Sequence, residues 1–240
     1  AGNRKTWTYS TWFKRTELGF TNVLIHFGVN NQATRMMLND DDTLYVDMCD
    51  TGTTLYRSIT NRVFRDTSAW YHVVLRVDTT QGTEADRMKV YINGVEETSW
   101  GQHQIPPQNL ETLANTTAAG YDDMGIGTYV WAGGSYDGLF SGYIAQVAHV
   151  DGQSYAPTEF GEFDDDSGIW KPKDVSGLTY GTGNNSFFLD FEDSSDLGAN
   201  AKGNDVNFSL SNLSAADQTT DTPTNNFCTF NPLQTVTGKW

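Results

Sequence analysis

Apolar and polar side chains alternate most cleanly between Trp70 and Gly94. Tyr71, Val73, Leu75 and Val77 interleave with His72, Val74, Arg76 and Asp78, and after a polar loop Met88, Val90 and Ile92 interleave with Lys89, Tyr91 and Asn93. A period of two sends successive side chains to opposite faces, so each run predicts a β-strand with one buried face. Asn93-Gly94 supplies the two positive-φ residues of a type I′ turn. Far downstream, Phe187, Leu189 and Phe191 in SFFLDF predict another strand. The best helical candidate, Pro107–Ala114, is short and reads equally well as a loop.

Three regions follow from this pattern. Residues 1–150 carry the hairpins of a main sandwich. Residues 151–185 are rich in Gly, Pro, Asp and Ser and read as an extended connection. Residues 186–240 begin with the Phe-rich strand, which either folds back to complete the sandwich or opens a second module. Fold-back is the preferred reading, because an orphan apolar strand would expose an edge prone to aggregation.

Composition is that of an all-β protein. The 240 residues include 23 Gly, 11 Tyr, 13 Phe and 7 Trp, types that favour strands and turns. The length suits one large sandwich, which buries roughly 70–75% of its unfolded surface. A net charge of −15 repels phosphate and so argues against nucleic acid and against anionic membrane. No apolar run approaches the ~18 residues of a membrane span. The start, Ala1-Gly2-Asn3-Arg4-Lys5, lacks both a Met and an apolar signal core, which reads as a processed product or a fragment of a longer chain. Cys49 and Cys228 are the only cysteines. Their pairing is open, and a reduced, half-buried Cys49 is the default.

Candidate chemistry is sparse. Glu162-Phe163-Asp164-Asp165-Asp166 is the nearest approach to the paired carboxylates of a glycosidase, but it lacks strand alternation and a second glutamate; it reads as a solvated loop. His26, His72, His103 and His149 show no metal spacing, and the first, second and fourth read as surface or inter-sheet residues. Gly125-Ile126-Gly127 is too short for a phosphate loop. Calcium is the cofactor to consider, since adjacent carboxylates before a strand are relieved by a divalent cation. The candidate ligands are Asp40 and Asp42 in one cluster and Asp122 and Asp123 in another. A glycan site wants an aromatic platform beside acceptors, and the Gly-rich stretch 129–138 offers Tyr129, Trp131, Tyr136 and Asp137. Trp131 could equally plug the sandwich or anchor a subunit interface.

The segment from Trp70 to Gly94 resembles the central hairpin of laminin G-like domains, members of the concanavalin A-like lectin/glucanase superfamily. Trp7-Thr8-Tyr9-Ser10-Thr11-Trp12-Phe13-Lys14-Arg15 resembles the strand before that hairpin, and Ser141-Gly142-Tyr143-Ile144-Ala145-Gln146-Val147 the strand after it. The resemblance implies a jelly-roll sandwich of two antiparallel sheets. In such domains an element like SFFLDF through Lys202-Gly203-Asn204-Asp205 commonly comes first; here it comes late, as circular permutation would produce.

The later segments resemble a stretch that follows laminin G-like domains in bacteriophage and other viral structural proteins, notably tail-fibre and virion-surface proteins. The matching positions are Asp151, Gly152, Gln153, Pro157, Phe160 and Gly161, then Trp170, Lys171 and Pro172. Asp221, Thr222, Pro223, Asn225, Asn226, Phe227, Asn231 and Pro232 complete them. This implies a non-enzymatic virion-exterior or extracellular module. Its expected partners are other virion subunits, copies of itself and cell-surface glycans. The alternatives are a purely structural shell, decoration or filament subunit, and a carbohydrate-binding module of a secreted hydrolase.

Overall fold

A computed structural model describes residues 2–51, 55–180, 185–202 and 207–226. In chain order its strands are β1 (Thr6–Arg15), β2 (Asn22–Val29), β3 (Gln32–Leu38), β4 (Thr43–Cys49), β5 (Leu55–Val63), β6 (Tyr71–Asp78), β7 (Met88–Ile92) and β8 (Val95–Glu96). There follow β9 (Trp100–His103), β10 (Met124–Ile126), β11 (Tyr129–Trp131), β12 (Ser135–Asp137), β13 (Gly142–Asp151), β14 (Gly161–Phe163), β15 (Trp170–Pro172) and β16 (Phe187–Leu189). Among the described residues helix is confined to three 3-10 turns; none is long and apolar enough to cross a membrane.

Two six-stranded antiparallel sheets form the sandwich. The first has the order β16-β13-β1-β6-β7-β8 and the second β10-β2-β3-β4-β5-β9. Alternation decides what lies between them. Trp7, Tyr9 and Phe13 of β1, Val73, Leu75 and Val77 of β6, and Met88, Val90 and Ile92 of β7 meet Leu24, Phe27, Met36, Leu38, Leu44, Val46 and Met48 in one buried cluster. Burial of such side chains is the main stabilising term of the fold. The turn after β7 has φ of 48° at Asn93 and 79° at Gly94, the left-handed pair that closes a tight hairpin.

The late strand joins this sandwich. β16 pairs with β13, placing Leu189 opposite Val147 and Phe187 opposite His149. Phe187 and Leu189 enter the same core as Trp7, Tyr9 and Phe13, and Phe191 packs against it. Gly203, Asn204 and Asp205 of the expected motif, and Phe227, Cys228, Asn231 and Pro232 beyond it, lie outside the described residues, so the Cys49–Cys228 question does too.

The segment Pro107–Ala114 is not helical. Its amides are spent on other segments: Asn109 donates to the Thr79 carbonyl at 2.7 Å, Thr112 to Arg4 at 3.0 Å and Leu113 to Cys49 at 2.9 Å. A helix would have needed the Thr112 and Leu113 donors for itself.

The first sheet is also covered on its outer face. Every residue of β1 from Trp7 to Arg15 is buried, although Thr8, Ser10, Trp12 and Lys14 point away from the core. The stretch expected as an extended connection contains the hairpin β14–β15 and lies over this face. Phe160, Val175 and Tyr180 pack on Val74, Ala148, Val150 and Phe188, while Trp170 joins Trp12 and Trp70. Trp170 fits a slot between Gly94 and Gly161, where a Cβ at either position would collide with the indole. Farther along, the Asp221 carboxylate accepts from Lys14 Nζ at 2.8 Å and from Trp70 Nε1 at 2.9 Å.

His26, His72 and His149 are all fully buried, which removes the surface reading of them. His149 sits among Trp7, Phe27 and Phe187 and shares a hydrogen bond with Asn115 Oδ1 at 2.8 Å. His72 receives the Trp170 Nε1–H on Nδ1 at 2.9 Å and lies 2.8 Å from Ser10 Oγ. Burial pushes His72 and His149 down to about 3 and His26 to about 4. The unfolded chain takes up these protons near pH 6.5, whereas the folded chain resists them until pH about 3–4. Stability present above pH 6.5 is therefore lost as the pH falls, by about 1.4 kcal/mol per pH unit for each histidine. Urea titrations at pH 7, 6 and 5 should show this decline before the carboxylates titrate; a flat profile across that range would refute it.

Candidate functional site

The outer face of the second sheet is the surface on which the candidate glycan residues stand. The stretch around Tyr129 is a β-hairpin, β11–β12, with Tyr129 opposite Asp137, Val130 opposite Tyr136 and Trp131 opposite Ser135. Directly opposed residues share a face, and neighbours along a strand do not. Tyr129, Trp131 and Asp137 therefore share one face, and Tyr136 turns to the other. The four thus do not stand on a single face of the stretch. Tyr136 is 53% exposed, and Tyr129 and Trp131 are half-buried with ring centroids 6.3 Å apart.

Tyr129 lies over β2 and β3. Its ring covers the Arg35 guanidinium at 5.2 Å and meets His26 edge-on at 5.5 Å, and its hydroxyl donates to Met37 Sδ. Burial raises the Tyr129 phenol above its ordinary value, so it remains a donor at neutral pH. Beneath it runs a charged row that single-sequence reading missed. Arg35 stands opposite Asp47, and Asp47 opposite Arg57, in register across β3, β4 and β5. Asp47 is fully buried and receives Arg35 Nε at 2.8 Å, Arg57 Nε at 2.7 Å and Arg57 Nη2 at 2.9 Å. The Tyr45 ring covers Arg57 at 5.2 Å. At the hairpin tip, an open cleft of about 510 Å³ is lined by Asn30, Gln32, Tyr121, Asp123, Ala132 and Gly133 among others. Tyr121 Oη donates to Gln32 Oε1 there at 3.0 Å.

The calcium candidates are not brought together. Asp40 is exposed and accepts from Asn39 Nδ2. Asp42 is turned inward, φ 67°, onto two guanidiniums: Arg15 Nη1 at 2.8 Å and Arg65 Nε at 2.8 Å. Burial alone would raise the Asp42 carboxyl, but the Gly19 amide, Arg65 and Arg15 together hold it below its ordinary value. Its charge is already compensated, so the cluster does not fit a divalent cation. Asp122 and Asp123 are exposed. Among the described residues no three His, Cys, Asp or Glu side chains converge as a metal site.

The acidic stretch near residue 164 is tied to one lysine. Lys171 Nζ lies 2.9 Å from Asp164 and 3.7 Å from Glu162, and this contact holds the Asp164 carboxyl well below the usual range. Several positions shared with the viral segment likewise serve packing: Phe160, Gly161 and Trp170 seat the covering layer, and Asp221 and Asn226 hold Lys14. Cys49 is buried, and burial raises its thiol.

Removing the Asp42 carboxylate should leave Arg15, whose side chain is fully buried, uncompensated. Asp42→Ala is expected to cost about 3–5 kcal/mol of stability in chemical denaturation, while calcium and a chelator give the same melting temperature for the native sequence. Calcium-dependent stabilisation lost in Asp42→Ala would reverse this assignment.

No curated protein matches the chain. Among solved structures it is similar to a carbohydrate-binding module, CBM40, of the Ruminococcus gnavus IT-sialidase, with 17% identity, 65% of this chain and 81% of that one covered and a TM-score of 0.47. It is similar too to a heptameric SAP-like pentraxin of Limulus polyphemus, with 17% identity, coverage of 63% and 66% and a TM-score of 0.42. The LG4-5 domains of mouse laminin alpha1 give 12% identity, coverage of 62% and 36% and a TM-score of 0.40. The chain spans just under two thirds of the pentraxin and about a third of the laminin pair. Membership rests instead on the match of residues 2–152 to a family model of the concanavalin A-like lectin/glucanases superfamily. That match covers well over half of the 240 residues, and the chain belongs to this superfamily.

Proposed function

We propose that this protein is a non-catalytic glycan-recognition module on the exterior of a virus, of the phage-fibre kind. The observation that carries the glycan reading is the shared face of Tyr129, Trp131 and Asp137 above the charged row of the second sheet. A half-buried indole beside a phenol and a carboxylate offers a stacking surface and hydroxyl acceptors on a rigid hairpin, the combination a pyranose ring requires. The viral context is supported by the sequence segments between Asp151 and Asn226, whose side chains build the covering layer.

Such a site gives weak single contacts, near the millimolar range or about −4 kcal/mol, and attachment follows from repeated copies. The non-catalytic reading is supported by Lys171, which occupies both Glu162 and Asp164 and leaves no opposed carboxylate pair there.

A second reading, a shell or decoration subunit, is favoured by the exposed Phe20, Leu139 and Ile169, which suit contacts with neighbouring subunits. One substitution separates the two. Trp131→Ala is expected to abolish binding to host cells or a glycan array while assembly and melting temperature persist, and the native protein is expected to release no reducing sugar from β-glucans. Intact glycan binding with weakened assembly would instead make Trp131 an interface anchor.

A further inference from the structure

The row Arg35–Asp47–Arg57 does not balance. Two guanidiniums meet one carboxylate, and Asp47 engages only Nε of Arg35 and Nε and Nη2 of Arg57. Among the described residues no protein acceptor takes either Nη of Arg35 or Nη1 of Arg57. The unit keeps one positive charge on a chain of net charge −15. Both planes are held in place: Tyr129 lies over Arg35 and Tyr45 over Arg57, each at 5.2 Å. Arg57 remains within reach of solvent, its side chain 29% exposed. A guanidinium fixed by an aromatic face and a buried carboxylate, with donors left over, is preorganised for a planar or tetrahedral oxyanion.

We propose that Arg57, assisted by Arg35, is an anion subsite for the acidic group of a glycan, a sugar carboxylate or a sulfate ester, whose ring rests against Trp131 and Tyr129. This rests on the glycan reading given above and narrows it to acidic sugars. The same surroundings restrict how much charge the ligand carries. Asp137 on the hairpin and Asp40 and Asp41 before β4 stand close enough to act electrostatically on the two tyrosines. With the overall negative charge they disfavour a polyanion. The ligand is therefore a sparsely charged glycan with a single acidic sugar at the site, held by contact hydrogen bonds and not by a long-range field.

The test uses the full chain against matched oligosaccharides that are neutral, carboxylate-bearing or sulfate-bearing, at low and high salt. The acidic members are expected to bind about tenfold more tightly than the neutral one, as for a charge-assisted contact, and to keep a margin at high salt, where a long-range field is screened. Comparing the two acidic members identifies which oxyanion is used. Arg57→Gln should reduce acidic binding to the neutral level, and Arg57→Lys should retain part of the preference. Melting temperatures check the fold of each variant, and the native protein's preference and salt dependence decide the matter if a variant does not fold. Equal binding of neutral and acidic sugars, or an unchanged preference in a folded Arg57→Gln, overturns the anion subsite and leaves glycan recognition standing. Absence of binding to all three overturns both.

Discussion

The layers of this protein are joined at one neutral imidazole. His72 lies on the outer face of β6, stacked on Trp12 with centroids 4.6 Å apart and on Trp170 at 6.0 Å. Because Trp170 donates to Nδ1 and the ring is fully desolvated, the histidine remains uncharged and its other nitrogen is left for Ser10. The covering segment is thus seated by a directional hydrogen bond and a slot between two glycines as well as by apolar area. Loss of that seat would expose Trp12, Trp70 and Lys14 together, which turns a polar-looking strand face into a surface that must stay covered.

The two sheets solve the problem of a second face in different ways. The first buries its outer side under later chain and holds the cation buried there, Lys14, against Asp221. The second covers β2 and β3 on its outer side with the β11–β12 hairpin and leaves β5 partly exposed, with a cross-strand charge row beneath two tyrosines. That asymmetry leaves the β5 and β9 side of the second sheet in contact with solvent. It also explains how an acidic chain can present the Arg57 guanidinium outward without losing the order of its plane: the buried Asp47 fixes it.

The sandwich was legible wherever one strand face was apolar and the other polar. Val73, Leu75 and Val77 and Met88, Val90 and Ile92 announced their strands, and Phe187 and Leu189 announced theirs. The outer layer was not legible, because its anchors are His72, Ser10, Lys14 and Asp221, residues that look solvated until irregular chain is laid over them. The hairpin from Tyr129 to Asp137 was visible as an aromatic-rich stretch, but its glycines hid the pairing that sends Tyr136 away from Trp131. The charged row was missed since register across strands is not written in any single segment. Its one sequence signal was Asp47 between Val46 and Met48 in an otherwise apolar strand, a carboxylate too expensive to bury without partners. The surroundings of Asp42 were hidden for the converse reason: Arg15 and Arg65, which hold its carboxylate, are distant from it in sequence.

The position of β1 at the centre of its sheet has a kinetic consequence. Its neighbours are β6, where Trp7 meets Val77, and β13, where Trp7 meets Asp151. The strand is thus flanked on one side only after a loop of more than fifty residues, 16–70, has closed, and on the other only after a loop of well over a hundred residues has closed. Contacts of such large sequence separation are slow to form, since closure entropy must be met before they contribute. During synthesis an apolar strand bearing Trp7, Tyr9 and Phe13 waits with an open edge. The growing chain is accordingly most vulnerable to edge-to-edge association before β13 arrives, and its yield should depend on how quickly the ribosome delivers that strand.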